Sequence, residues 1–210
     1  MSLLSTVSKI VEKSIFIQLV EYFENNQLIH PSHHGFRTQH NTTTALIEMV
    51  DKWIESFDEG KISAVVALDM SAAFDLVDKD ILLKKLKAYK VKENTVNWIS
   101  SYLSDRKQRV YIDGHLSDEI DVTVGVPQGS ILGPLLYIIY TSDLPNIVHQ
   151  CTPFEEGENI NLNCKECGSL CCYADDSTFT ISGRDPDLLS VQISNQYKNI
   201  AEYMTNNKLV

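Results

Sequence analysis

Apolar residues recur at helical spacing from Val7 to about Asn26, at Val7, Ile10, Val11, Ile15, Leu19, Val20 and Phe23, so the chain opens with a long amphipathic helix. His30-Pro31-Ser32 breaks it, and a loop, HHGFRTQHNTTT, follows with Gly35 as its turn residue. Thr42–Thr44 are placed to cap a second helix, from Ala45 to about Phe57, that ends near Gly60. The period then changes. Ser63–Met70, SAVVALDM, is a nearly continuous β-branched run closed by Asp69, the pattern of a strand buried on both faces. Ser71–Asp75 forms the turn beyond it, and Asp78–Lys90 and Glu93–Ser104 read as two helices. Gln108–Ile112 and Glu119–Val124 read as strands joined through Asp113-Gly114. Val124–Pro134, VGVPQGSILGP, is a Gly/Pro loop in which backbone must approach something closely. A helix over Ile131–Leu144 follows, closed by Pro145, then an irregular stretch, Asn146–Ser169. Leu170–Ile181 reads as a β-hairpin, with LCCYA and Ser177–Ile181 as its strands and Asp175-Asp176 at its turn. A polar amphipathic helix from Pro186 to about Asn206 ends the pattern.

Chemistry enters through three acids. Adjacent carboxylates between apolar strands repel one another and resist burial, so a cation is expected to meet Asp175 and Asp176, although a solvent-facing Asp-Asp turn fits the tetrapeptide equally well. Oxygen-only ligands favour Mg²⁺ over zinc. A buried strand that ends in an acid, as at Asp69, points the same way. Strands with intervening helices on one face suggest an α+β sandwich in which the first strand and the hairpin are neighbours. Their carboxylates could then share two metals, the arrangement used for in-line phosphoryl displacement. His30, His33, His34 and His40 lack a nearby Cys or carboxylate at ligand spacing and read as loop histidines.

Composition adjusts this picture. At 210 residues, 43% hydrophobic and 22% charged, the chain has the profile of an ordinary globular protein able to bury a core. No apolar run approaches the length of a bilayer span, and no secretory leader is visible, so no membrane partner is expected. Five cysteines, an odd number, fit a reduced intracellular setting. The net charge of −10 argues against a freestanding nucleic-acid binder, yet basic residues cluster at Lys84–Lys90 and at Arg106–Arg109. The first cluster reads as a solvated helix face.

Four segments in one order carry a resemblance: HGFRTQHNTTTAL, LDMSAAFDLVD, VGVPQGSILGPLLYIIYTSDLP and YADD. With these spacings the chain resembles, over essentially its whole length, the reverse transcriptase domain of non-LTR (LINE-type, jockey-like) retrotransposons. The resemblance implies an α+β fingers–palm core with an antiparallel palm sheet backed by helices. It assigns residues 1–62 to a fingers-like helical part and 63–210 to the palm, with a Cys-bearing insert at about 146–169. The implied activity is RNA-directed DNA polymerisation with dNTPs, a DNA primer, an RNA template and two Mg²⁺ ions, Mn²⁺ being a substitute. It also implies a nuclear location.

Site roles follow by the same resemblance. Asp69 and Asp175 would hold the ions with the Met70 carbonyl, Asp176 standing close by. Phe74 resembles a steric gate that excludes a 2′-OH, a device of exclusion rather than attraction. The N–H groups of Ala72 and Ala73 would face the triphosphate. Gln128 and Gly129 of the Pro-Gln-Gly turn would pack against the incoming nucleotide. Tyr173 would lie near the primer end, and Arg37, Arg106 and Arg109 are candidate primer–template contacts, Arg37 equally a brace of the fingers. For Phe74 a core position, and for Gln128 a turn residue bonded to its own backbone, are the bland alternatives.

Against the family pattern, MSLL begins inside a segment that normally reads Arg-Pro-Ile-Ser-Leu-Leu, and the last palm motif is cut at Val210. These departures suggest a core truncated at both ends, without a thumb. An inactive remnant, or an RNA-binding module working through Arg106–Arg109, is then the rival reading. Cys164-x₂-Cys167-x₃-Cys171, with Cys151 upstream, could ligate zinc, but a single C-x₂-C favours no metal there.

Overall fold

Alternating side chains in three antiparallel strands build the sheet that carries the acids: β1 (Ile62–Asp69), β6 (Ser169–Tyr173) and β7 (Asp176–Gly183), in the order β1-β7-β6. The computed structural model describes residues 4–70, 72–148 and 168–209. Cys151, Cys164 and Cys167, and with them the zinc question, lie outside the described residues. The chain divides into two units, each assembled from two stretches: Met1–Tyr22 with Ala72–Tyr140, and Phe23–Ser71 with Thr141–Val210.

The second unit holds the sheet, together with α2 (Thr42–Asp58), α6 (Leu144–Val148) and α7 (Pro186–Asn206). The register pairs Val66 with Phe179 and Val65 with Thr180. Neighbours along a strand point to opposite faces, so each face takes its own helix. Trp53 of α2 donates from Nε1 to Thr180 Oγ1 at 3.2 Å on one side. On the other, Val66, Leu68 and Phe179 face Ile193, Tyr197 and Ile200 of α7. Helices therefore cover both faces, where the sequence suggested one. β1 is an edge strand whose residues alternate between half-buried and exposed, rather than a strand buried on both faces. The doubly buried strand is β7, because the hairpin inserts it between β1 and β6.

The first unit contains most of α1 (Thr6–Asn25), a 3₁₀ turn at Ala73–Asp75, α3 (Lys79–Ala88), α4 (Glu93–Tyr102) and α5 (Gly133–Thr141). Leu135 to Tyr140 are all nearly inaccessible, as expected of a helix apolar all round and therefore central. The basic run before it is not simply solvated: Lys85 Nζ donates to the Tyr140 carbonyl and lies over the Tyr140 ring. A two-step ribbon lies between α4 and α5. β2 (Arg106–Gln108) pairs with β5 (Ile120–Val122), and β3 (Tyr111–Ile112) with β4 (His115–Leu116), so the hairpin seen in the sequence is split into two short ladders. Its turn does fall at Asp113 (φ 48°) and Gly114 (φ 85°), both left-handed as a tight hairpin requires.

Other boundaries shift for local reasons. Asn41, not Thr42–Thr44, caps α2: its side chain accepts from the Thr44 N–H while the Thr44 hydroxyl accepts from the Asn41 N–H. Pro145 sits in the first turn of α6 instead of ending α5, where its missing N–H is no loss. The expected irregular stretch thus gives up Asn146–Val148 to α6 and Ser169 to β6. Of the apolar positions that marked α1, only Leu19 and Phe23 are buried, whereas Glu12 is 1% exposed. Among the described residues no helix is long and apolar enough to cross a membrane.

Candidate carboxylate and nucleotide sites

The site residues fall into two groups, one in each unit. In the sheet unit, β1 ends at Asp69 directly opposite Asp176, the first residue of β7, and Asp176 in turn faces Tyr173 of β6. Asp175 occupies the turn with Ala174, which is left-handed at φ 58°. The three carboxylates thus lie at one end of one sheet. Like charges directly opposite on a ladder destabilise it. Among the described residues none of the three has a side-chain hydrogen bond or ion pair that would offset this. Nor do three or more His, Cys, Asp or Glu side chains there form a ready-made metal cage. An oxygen-only set of one or two carboxylates suits Mg²⁺, which keeps waters and takes its remaining ligands from substrate phosphates. Met70, next along the chain, is buried.

The hairpin is held from outside by the HHGF loop. The Cys172 N–H donates to Ser32 O at 2.8 Å, and the His34 N–H donates to Cys172 O at 2.8 Å, so His33 bridges to Cys172 in parallel. His33 is buried, its Nε2–H donating to Thr141 O at 3.2 Å, and burial pulls its pKa down to about 4. His34 Nε2 lies 2.8 Å from Glu48 Oε2. Both are structural histidines of this loop. Gly35 does not supply a left-handed turn, which falls instead on Phe36 at φ 55°; a Cβ on Gly35 would lie 2.3 Å from the Ala174 nitrogen. Arg37 grips Glu24 through two bonds, Nε to Oε1 at 2.9 Å and Nη2 to Oε2 at 2.8 Å, and its Nη1 donates to the carbonyls of His30 and His33. That hydrogen-bonded pairing holds the Glu24 carboxyl below its usual range. The guanidinium, with its side chain 9% exposed, makes these four bonds as a brace of the loop. Burial raises the thiols of Cys171 and Cys172 to about 11 and about 12, leaving them neutral core groups.

The other unit contains the nucleotide-side candidates. Ala72 is left-handed at φ 58°, and the Asp75 N–H closes the turn onto Ala72 O at 2.8 Å, with Ala73 buried. The ring of half-buried Phe74 packs on the buried Tyr137 at 4.8 Å between centroids. Gly125, at φ 84°, bonds to Val77 O, and Val126 bonds to Phe74 O, seating the Pro-Gln-Gly loop against this turn. A Cβ on Gly125 would lie 2.8 Å from Asp75 Cα, so only glycine permits the approach. Gln128, exposed beside Gly129, donates its amide to both oxygens of Asp75 at 2.9 and 2.8 Å rather than to its own backbone. Arg106 donates to Gly125 O at 2.9 Å. Arg109 and Lys107 both pair with the exposed Glu119.

Asp75, Glu12 and Gly35 are the site-shaping residues that sequence reasoning missed. Asp75 carried a signal, being the acid that directly follows Phe74. Glu12 carried one too, an acid inside an apolar stripe. Gly35 reads in the sequence as a turn residue, whereas its lack of a side chain is what matters.

A family model described as reverse transcriptase (RNA-dependent DNA polymerase) matches residues 1–209. The chain is 34% identical over 175 residues to the RNA-directed DNA polymerase from mobile element jockey of Drosophila funebris, covering 83% of this chain and 18% of that protein. It is 34% identical over 154 residues to a probable RNA-directed DNA polymerase from transposon BS of Drosophila melanogaster, covering 72% of this chain and 17% of that one. The chain thus spans less than a fifth of these relatives. Among solved structures, it is similar to telomerase from Candida tropicalis in complex with a TWJ fragment of telomeric RNA, with a TM-score of 0.61 at 13% identity over 94% of this chain and 32% of that one. At that identity the likeness is one of fold.

Proposed function

This chain belongs to the reverse transcriptase (RNA-dependent DNA polymerase) family, in its non-LTR retrotransposon branch, with a fingers–palm core fold, and we propose that it transfers nucleotides from dNTPs to a primer 3′-OH on an RNA template. One observation carries the proposal. Asp69 and Asp176 face each other across an antiparallel ladder, with Asp175 at the adjoining turn and, among the described residues, no cationic side chain paired with them. Asp69 and Asp175 would hold Mg²⁺, with the Met70 carbonyl as a further ligand and Asp176 raising the negative potential. When bound, the ions would acidify the attacking hydroxyl and offset charge on the leaving pyrophosphate.

The chain's own residues do the selecting. Phe74, backed by Tyr137, would fill the volume that a 2′-OH requires. The backbone N–H groups at Ala72 and Ala73 would meet the triphosphate, where small side chains leave room. Gln128, with its amide turned toward Asp75, and Gly129 beside it would face the incoming nucleotide. Tyr173, opposite Asp176, would stand near the primer terminus. Arg106 and Arg109 remain the basic candidates for primer–template contact, the first through the Gly125 loop and the second at the surface.

The test is dNTP incorporation on a primed homopolymer RNA with Mg²⁺, by this chain and by one extended to include a thumb. Asp69→Ala and Asp175→Ala should each abolish incorporation in whichever form is active. Incorporation that survives either substitution would refute the metal assignment. RNA binding without incorporation in either form, unaffected by Asp69→Ala, would favour a binding module.

A further inference from the structure

The HHGF loop supports the hairpin that carries Asp175. Cys172, two residues before Ala174, stands opposite Ser177 of β7 in the sheet register. On its other side it is bonded twice to the loop, giving its N–H to Ser32 and accepting from His34. The loop therefore acts as one extra step of sheet, laid parallel along β6 where the described strands end. Three anchors hold it. His33 is buried and bonded to Thr141, His34 reaches Glu48 on α2, and Arg37 ties the His30 and His33 carbonyls to Glu24. Gly35 then meets the turn itself: a Cβ there would lie 2.3 Å from the Ala174 nitrogen, 3.0 Å from its Cα and 3.3 Å from the Tyr173 carbonyl carbon. These are backbone atoms, which cannot swing aside as a flexible side chain could. Ala174 is also left-handed, at φ 58°, an uncommon conformation for a residue with a Cβ.

We propose that Gly35 is a positioning residue for Asp175: the bare backbone of the anchored Ser32–Arg37 loop sets where the Ala174–Asp175 turn stands, and hence where the Asp175 carboxylate is presented. The inference rests on the carboxylate reading above. It assigns the HGFR segment to the placement of the acids and not to contact with nucleic acid.

The probe is Mn²⁺ alone, without nucleotide, titrated calorimetrically into the chain, with circular dichroism and thermal melting run on each variant. Native chain should bind, and Asp175→Ala should not. Gly35→Ala should retain its fold yet bind Mn²⁺ roughly 10- to 100-fold more weakly, the usual loss when the support of a metal ligand is disturbed. A merely structural role would lower the melting temperature and leave the affinity of the folded protein unchanged, and that result overturns the proposal. Should Gly35→Ala fail to fold, Arg37→Lys gives the second reading. It keeps the charge but cannot reproduce the forked grip on Glu24 and two carbonyls, so it should also weaken Mn²⁺ binding. Native affinity in a folded Arg37→Lys chain would equally overturn the proposal. Absence of binding in the native chain, or its persistence in Asp175→Ala, brings down the carboxylate reading itself, and does so before any Gly35 variant is compared.

Discussion

At the scale of single residues, burial decides more than charge. Among the described residues the His33 ring is bonded only to the Thr141 carbonyl, and desolvation holds its pKa at about 4, against about 6.5 when unfolded. His30 and Arg37 add to that lowering, whereas the Thr141 carbonyl and Asp143 oppose it. The folded state therefore binds the proton more weakly than the unfolded state. His33 contributes stability that is complete above about pH 6.5 and lost as the pH falls toward 4, at most about 3 kcal/mol. Glu24 and Glu48, whose pKa values are also lowered, act in the same direction but only below the ordinary carboxylate range. Urea unfolding between pH 6.5 and 4.5 should thus show a falling free energy, and His33→Gln should flatten it. An unchanged slope in that variant would show that His33 is not the titrating group. The cause of this behaviour was invisible in the sequence. HHGF reads as an exposed loop until the backbone pairing with Cys172 places His33 inside.

At the scale of elements, two contacts between separate chain segments matter most. The first is the Asp69–Asp176 pairing. Its repulsion is a standing cost of the ladder, so Asp176→Asn should raise the unfolding free energy in metal-free buffer by a fraction of a kcal/mol. Addition of Mg²⁺ should shrink that advantage, because a bound cation offsets the repulsion in the native chain. Denaturation with and without Mg²⁺ checks both signs. The second contact is made by Glu12. Its Oε2 accepts from the N–H groups of Ile131 (2.8 Å) and Leu132 (3.4 Å), just before α5, and its Oε1 accepts from the Ser8 hydroxyl. An anion at a helix N-terminus is favourable on both hydrogen-bonding and dipole grounds. Glu12→Ala would strand buried donors, so the urea midpoint should fall by the equivalent of roughly 1–3 kcal/mol at unchanged m-value. Helical periodicity marked the apolar face of α1 but missed this acid, because the period says which residues share a face and not which backbone donors that face will meet.

At the scale of the whole molecule, four ordered motifs are enough to set the family, and the fold neighbours and relatives agree with them. The net charge of −10 bears on the proposed activity. Phosphate contacts supply most non-specific affinity for nucleic acid, and the described basic residues at Arg37, Lys107 and Arg109 are already paired with acids. The sequence by itself determined the strand that ends in Asp69, the hairpin that carries Asp175 and Asp176, the central apolar helix and the order of the motifs, because each is a local pattern of period, turn chemistry or residue spacing. Only the tertiary structure decided that β7 and not β1 is the doubly buried strand, that Arg37 is spent on Glu24, that Gln128 is held by Asp75, and that Gly35 is small because a backbone nitrogen lies against it. Each of these depends on pairing between residues distant along the chain, and such pairings leave no period in the sequence from which they could be read.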